Sequence, residues 1–222
     1  MSKKKLLKFG NVKCHCVAGN PDRVLYMLFP MDQMDDICMA GAEHYNVSVV
    51  GITGMDWDDD MTPWPAPGAP SGCAPFQGKA GQFLDLLQNQ IVPACEREMA
   101  IEHPTRYLLG VSLSGLFALW QWMVSDVFDD IASISGSFWY NGFTDWLSEE
   151  VHAKPGRAYF SLGDREEHTS VPQFKSVAED TRQVVSLLQE AGIDTEFRIV
   201  PGNHYQYALQ RMEWALDWLL RP

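Results

Sequence analysis

The sequence predicts an α/β fold, an eight-stranded and mostly parallel sheet with helices on both faces. Two observations predict it. Eight short apolar runs rich in β-branched and aromatic residues recur along the 222 residues, each of strand length. From the third run onward the intervening segments are long enough for a crossover helix, the connection that parallel strands require.

The runs are residues 6–9, 12–17, 24–29, 47–52, 106–110, 131–135, 158–162 and 195–200. The first three follow one another at hairpin distance, with Gly10-Asn11 as one tight-turn signal and Gly19-Asn20-Pro21 as a second. Three helices are legible between the later runs. In the last, Tyr205, Leu209, Met212, Leu216 and Leu219 repeat at helical spacing and predict one apolar face. Before it, Val177, Val184, Leu188 and Ala191 do the same, and Gly192 supplies a left-handed stop. A third helix is expected over 82–99, kinked at Pro93.

Composition bounds the function. Hydrophobic residues at 46% and charged residues at 21% are those of a globular protein, and a chain of this length buries about 70% of its unfolded surface. A single domain over 1–222 is expected, without repeats or linkers. Residues 53–79, with five prolines and four glycines, break the pattern; so long an excursion is expected to act as a lid. A net charge of −12 repels phosphate backbones and argues against nucleic acid as a partner. The basic cluster at 3–8 is followed by no apolar segment of the kind that marks export or a membrane partner. With five cysteines read as reduced thiols, a cytoplasmic location is expected.

The chemistry begins at Gly110-Val111-Ser112-Leu113-Ser114-Gly115, between the fifth apolar run and a helical stretch. A serine where a strand turns sharply into a helix presents its hydroxyl above the sheet edge, provided that small residues stand two before and two after it. Gly110 and Ser114 fill those places around Ser112, serine replacing the more usual second glycine. A serine hydroxyl needs an imidazole to take its proton, and the imidazole a carboxylate to hold its tautomer. In such sheets the acid follows the seventh strand and the histidine the eighth. His204 stands in the Pro-Gly-Asn-His segment after the eighth run. Three residues beyond Gly163 stands Glu166, the expected acid, with Asp164 as the alternative and Glu167 as a third. The oxyanion donors expected are the N–H of Leu113 and that of Met31 or Asp32, in the loop after the third run.

Other chemistries find less support. Cys14-His15-Cys16 lies on a strand, which turns the cysteines to one side and the histidine to the other. Core packing is the expected role, and no metal or other cofactor is predicted. The loop at 30–36 lacks the glycines of a dinucleotide site.

With these residues in place, the chain resembles the Putative esterase family of α/β hydrolases, the group of esterase D and the enterochelin esterases. Asp60–Trp64, Gly81–Pro93 and Ile134–Tyr140 carry the resemblance beyond the serine and histidine segments, and short bacterial members look most similar. It implies an α/β-hydrolase fold and a substrate pocket walled by Phe138, Trp139 and Tyr140. Trp57 and Trp64 add an aromatic character to the expected pocket. Trp57 stands where many members carry an arginine, which counts against a siderophore substrate. The function expected is that of a serine hydrolase cleaving a small-molecule carboxylic ester through an acyl-enzyme. A thioesterase or acyltransferase with the same residues, or a binding protein that kept the fold and lost the chemistry, are the alternatives.

Overall fold

The computed structural model describes residues 4–30 and 35–221. All eight expected strands are present: β1 (Lys4–Phe9), β2 (Val12–Val17), β3 (Arg23–Leu28), β4 (Ser48–Thr53), β5 (Thr105–Val111), β6 (Asp130–Ile134), β7 (Arg157–Gly163) and β8 (Asp194–Val200). The helices in chain order are α1 (Asp35–Tyr45), α2 (Trp57–Asp60), α3 (Ala80–Leu86), α4 (Val92–Met99), α5 (Leu113–Val124), α6 (Phe143–Glu150), α7 (Val177–Glu190) and α8 (Ala208–Leu219).

One sheet contains all eight strands in the order β1-β2-β4-β3-β5-β6-β7-β8. The β1–β2 and β2–β4 pairs are antiparallel and the rest are parallel. Gly10, at φ 62°, turns β1 into β2 as a hairpin. The second expected hairpin does not form. Val24 to Leu28 of β3 are all buried, as an inner parallel strand requires, and β3 lies between β4 and β5. The Gly19-Asn20 turn is instead tied to the start of β4: Ser48 Oγ accepts from the Gly19 N–H at 2.9 Å and donates to the Asn20 carbonyl at 3.0 Å.

Helices cover both faces, as the crossovers require. On one, α1 and α8 pack over Leu25, Met27, Leu109 and Tyr159. On the other, α5 lies against β5 and β6, and α7 against β7 and β8. Nearly every residue of α5 is buried, because the helix is enclosed between the sheet and α3, where Phe83 meets Phe117 edge-on at 5.4 Å. A helix apolar on all sides is stable only in such a place.

Two helices depart from their periodicity. The expected helix over 82–99 is continuous from Ala80 to Met99, and a π-helical turn at Leu87–Ile91 separates α3 from α4. Pro93 has no N–H and its ring crowds the carbonyl of Asn89, so the wider turn just before it absorbs the misfit. In α8 the buried residues are Arg211, Ala215, Leu216, Trp218 and Leu219. Leu209 is 69% and Tyr205 85% exposed. The inward face is rotated from the expected one because an arginine occupies its first turn.

Residues 53–79 are folded back on themselves. Asp59 is the hub: its carboxylate accepts from the Gln77 N–H at 2.9 Å and Lys79 Nζ at 2.7 Å, and its carbonyl from the Lys79 N–H at 2.8 Å. A bridge pairs Ala66 with Phe76, and Met61 and Thr62 are fully buried. The five prolines of this stretch restrict the unfolded chain and so lower the entropy cost of fixing the loop.

Phe117→Ala removes a fully buried ring from the contact of α5 with α3. It is expected to lower stability by about 3–5 kcal/mol, read from the urea midpoint at unchanged slope.

Candidate active site

Ser112 joins β5 to α5 with φ 54° and ψ −122°. A non-glycine residue held there costs about 1–3 kcal/mol, so its surroundings must enforce the turn. A Cβ at Gly110 would lie 2.1 Å from the Ser114 carbonyl oxygen, and only glycine permits so close an approach. Ser114 is fully buried. Its Oγ accepts from the Val111 N–H at 2.8 Å and lies within donating distance of the Val111 and Leu28 carbonyls at 2.9 and 3.0 Å. Serine in place of the usual glycine therefore ties the turn to the end of the neighbouring strand β3.

The expected serine, histidine and acid meet at the carboxyl ends of β5, β7 and β8. His204 Nε2 is 3.2 Å from Ser112 Oγ, and its Nδ1 is 2.8 Å from Glu166 Oε2. Glu166 Oε1 accepts from Ser135 Oγ at 2.6 Å, the Gly163 N–H at 2.7 Å and Arg211 Nη1 at 2.8 Å. Burial pushes the Glu166 carboxyl up, but hydrogen bonds from His204, Ser135 and Gly163 outweigh it and hold the group below the usual carboxylate range. Such a carboxylate stays charged, and it accepts a hydrogen bond from the Nδ1–H of His204. The Nε2 lone pair is then left facing the serine.

Asp164 does not reach the histidine. Its carboxylate accepts from the Gly202 N–H at 2.8 Å and holds the loop that carries His204. Glu167 is exposed and lines a small hollow with Arg182, apart from the cleft over Ser112. Leu113 is the first residue of α5, where the N–H has no acceptor within the helix, and it borders the cleft. Met31 and Asp32 lie outside the described residues.

A cleft of about 720 Å³ opens over Ser112. Trp57, Phe76, Trp139 and Phe174 form an aromatic side, and Arg165, His168 and Asn203 a polar one. Of the five aromatic residues expected in the pocket, Trp57 and Trp139 line it. Trp64, Phe138 and Tyr140 do not. Phe138 is buried between Phe143 and Phe160, and Tyr140 donates its hydroxyl proton to the Trp64 carbonyl. Trp64 stacks on Phe143 and donates from Nε1 to the Asn141 carbonyl at 2.9 Å. These rings form the layer behind the wall: Phe138 and Tyr140 turn into the core after β6, and Trp64 packs on Tyr140 and Phe143 from the 53–79 excursion.

Sequence reasoning missed Arg211, Ser135 and Ser137. Ser137 Oγ is 3.4 Å from Ser112 Oγ. Arg211 carried a signal, a lone cation among the apolar positions of the last helix. Cys14 and Cys16 are fully buried on one side of β2, as the strand alternation implies.

The order, direction and layering of the sheet are those of an α/β hydrolase. The model of the Putative esterase family matches residues 28–215. The chain belongs to this family and is a carboxylic ester hydrolase. It is 29% identical over 184 residues to the uncharacterized protein YbbA of Bacillus subtilis (strain 168), covering 77% of this chain and 72% of that one. An IroE-like serine hydrolase from Shewanella oneidensis superposes with a TM-score of 0.80 at 17% identity, over 99% of this chain and 80% of the other. The siderophore hydrolase EstA from Aspergillus nidulans gives 0.75 at 15%, over 98% and 93%. At these identities the two structures establish the shared fold. No helix among the described residues is long and apolar enough to cross a membrane.

The lowered Glu166 carboxyl sets an acid limit on stability. Its contribution is complete above the unfolded value of about 4.3 and is lost as pH falls through the lower folded value. Glu166→Gln is expected to lower stability at neutral pH by about 3–5 kcal/mol, since it strands a buried arginine. It is also expected to flatten this acid-side dependence, read from urea midpoints at stepwise lower pH.

Proposed function

We propose that this chain is a serine esterase in which Ser112 is the nucleophile, His204 the general base and Glu166 the acid that orients it. The observation that carries the reading is the continuous chain from Ser112 Oγ through the imidazole to a buried, charged carboxylate. Ser112 Oγ attacks the ester carbonyl carbon while its proton passes to His204 Nε2. The oxyanion accepts a hydrogen bond from the Leu113 N–H. Collapse expels the alcohol, which takes the proton from His204, and leaves an acyl-serine. Water, deprotonated by the same imidazole, then releases the acid.

The cleft supports a substrate with an apolar or aromatic group beside the reacting carbonyl. Trp139 and Phe174 pack with ring centres 4.5 Å apart, and Phe76 and Trp57 continue that side. In this reading the folded excursion at 53–79 serves as the lid, contributing Trp57, Asp58, Pro70 and Phe76 to the cleft. EstA is a siderophore hydrolase, but Trp57 in place of the family's frequent arginine favours an uncharged group at this position.

A fluorophosphonate probe is expected to form one adduct, on Ser112 by peptide mass spectrometry, and none in His204→Ala. Absence of an adduct on the wild-type protein would overturn the reading. Glu166→Gln is expected to lower kcat per folded molecule by about 10⁴-fold, and Asp164→Asn to leave it within about tenfold. Removing a wall ring in Trp139→Ala should raise KM for aryl esters about tenfold more than for short alkyl esters. Equal changes in the two series would remove the aromatic-group proposal.

A further inference from the structure

Arg211 is a fully buried cation within an apolar helix face, and its contacts are not those of a packing residue. Its Nη1 donates to Glu166 Oε1 and lies 2.8 Å from Ser135 Oγ. Its Nη2 donates to the Asn203 carbonyl at 2.8 Å, and Asn203 immediately precedes His204. Nε has no acceptor among the described residues, so the two terminal nitrogens hold the whole group. The surrounding backbone is cut to admit it: a Cβ at Gly163 would lie 2.5 Å from Nη2 and 2.2 Å from the Gly202 carbonyl oxygen.

We propose that Arg211 is the positioning residue of the active site, its planar fork clamping the acid to the histidine-bearing loop and offsetting the acid's negative charge beneath the imidazole. The inference rests on the roles proposed above for Ser112, His204 and Glu166. Glu166 and Asn203 belong to separate loops, after β7 and after β8. Asp164 and the Arg165 N–H tie the same two loops at Gly202, but Arg211 is bonded both to the acid's own carboxylate and to the residue next to His204. A misplacement of about 1 Å costs about 100-fold in rate, and a rigid bidentate donor suppresses that freedom better than a flexible ammonium.

The fork also has an electrostatic consequence. The ionisable groups around His204 are Glu166, Arg165 and His168 from the loop after β7, Asp58 of α2 across the cleft, and Tyr205 beside it. Asp164 sits further back against Gly202. Arg165 is exposed and its charge is screened by water. Arg211 is the buried cation, at 1% exposure. Removing its charge strengthens the field of Glu166 on the imidazole and favours the protonated ring. A protonated ring is no base, so activity then begins at higher pH.

The test compares Arg211→Met and Arg211→Lys with the wild type on one activated ester across the histidine range. Rates are divided by the concentration of sites titrated with the fluorophosphonate. Arg211→Met is expected to lower kcat about 100-fold with KM little changed, and to move the acid limb of kcat/KM upward by about one pH unit. Arg211→Lys keeps the charge and loses the fork, so its limb stays near the wild-type position while kcat recovers only in part. Titrated sites of Arg211→Met that turn over at the wild-type rate with an unmoved limb would overturn the proposal, whatever the fall in Tm. If Arg211→Met does not fold, Arg211→Lys decides alone, and a wild-type kcat in that variant overturns it. Ser112→Ala in the same series separates the two readings: activity and labelling that persist there refute the proposed nucleophile, independently of Arg211.

Discussion

The structure depends on a single backbone constraint, the left-handed conformation of Ser112 between a central strand and a helix buried on nearly all sides. Neither element can shift to relieve it. β5 is paired on both edges, by β3 and β6, and α5 is wedged between the sheet and α3. The strain is held by the closeness of Gly110 to Ser114 and by the Ser114 hydroxyl bonded to the backbone around it. The neighbouring turn after β6 shows the same economy of space. Ser135 also has a positive φ, of 51°, and the Ser137 N–H donates to the Ser112 carbonyl at 3.1 Å. The serine hydroxyl therefore stands at a fixed height above the strand ends, which in the proposed reading holds the nucleophile in place before any substrate arrives.

A second constraint is the buried charge at Glu166. A carboxylate taken out of water costs several kcal/mol unless its lone pairs are met, and here one oxygen receives three donors while the other is left for His204. The asymmetry has a chemical consequence. The saturated oxygen fixes the carboxylate's rotation, so the free one can point only at the imidazole. In this arrangement Ser135, Gly163 and Arg211 settle the geometry of a contact that none of them makes. Asp164, on the same loop, serves the histidine differently, by holding the Gly202 backbone.

The cleft joins these rigid parts to a wall of different character. Its aromatic side comes from the 53–79 excursion, the turn after β6 and the segment before α7, which pack on one another through Phe76, Trp139 and Phe174. In the proposed reading, selectivity and chemistry are thus carried by separate portions of the chain. Substitutions in the wall can alter what is admitted without disturbing Ser112, His204 or Glu166, and this separation is what lets one fold serve many esters.

How much of this was legible in the residues follows from the range of the forces involved. Strands, crossovers and the serine turn are local matters: apolar runs, helical spacing and a glycine two residues before a serine are written in consecutive positions, and the sequence by itself determined them. It determined the order serine, acid, histidine for the same reason. The spacing from Gly163 puts Glu166 first among the three acids, and the approach of two loops across Gly163 is what brings it to His204 while Asp164 turns to Gly202. Only the tertiary structure inserted β3 between β4 and β5 in place of a second hairpin. It alone sorted the aromatic residues, sending Phe138, Tyr140 and Trp64 behind the wall and leaving Trp57 and Trp139 in the cleft. Arg211 is the clearest case. Its periodicity marks it as an interruption of an apolar face, and only the packing of α8 against β6 and β7 turns that interruption into the counter-charge of a buried acid, because a charge enters the core only where a partner from elsewhere in the chain is waiting for it.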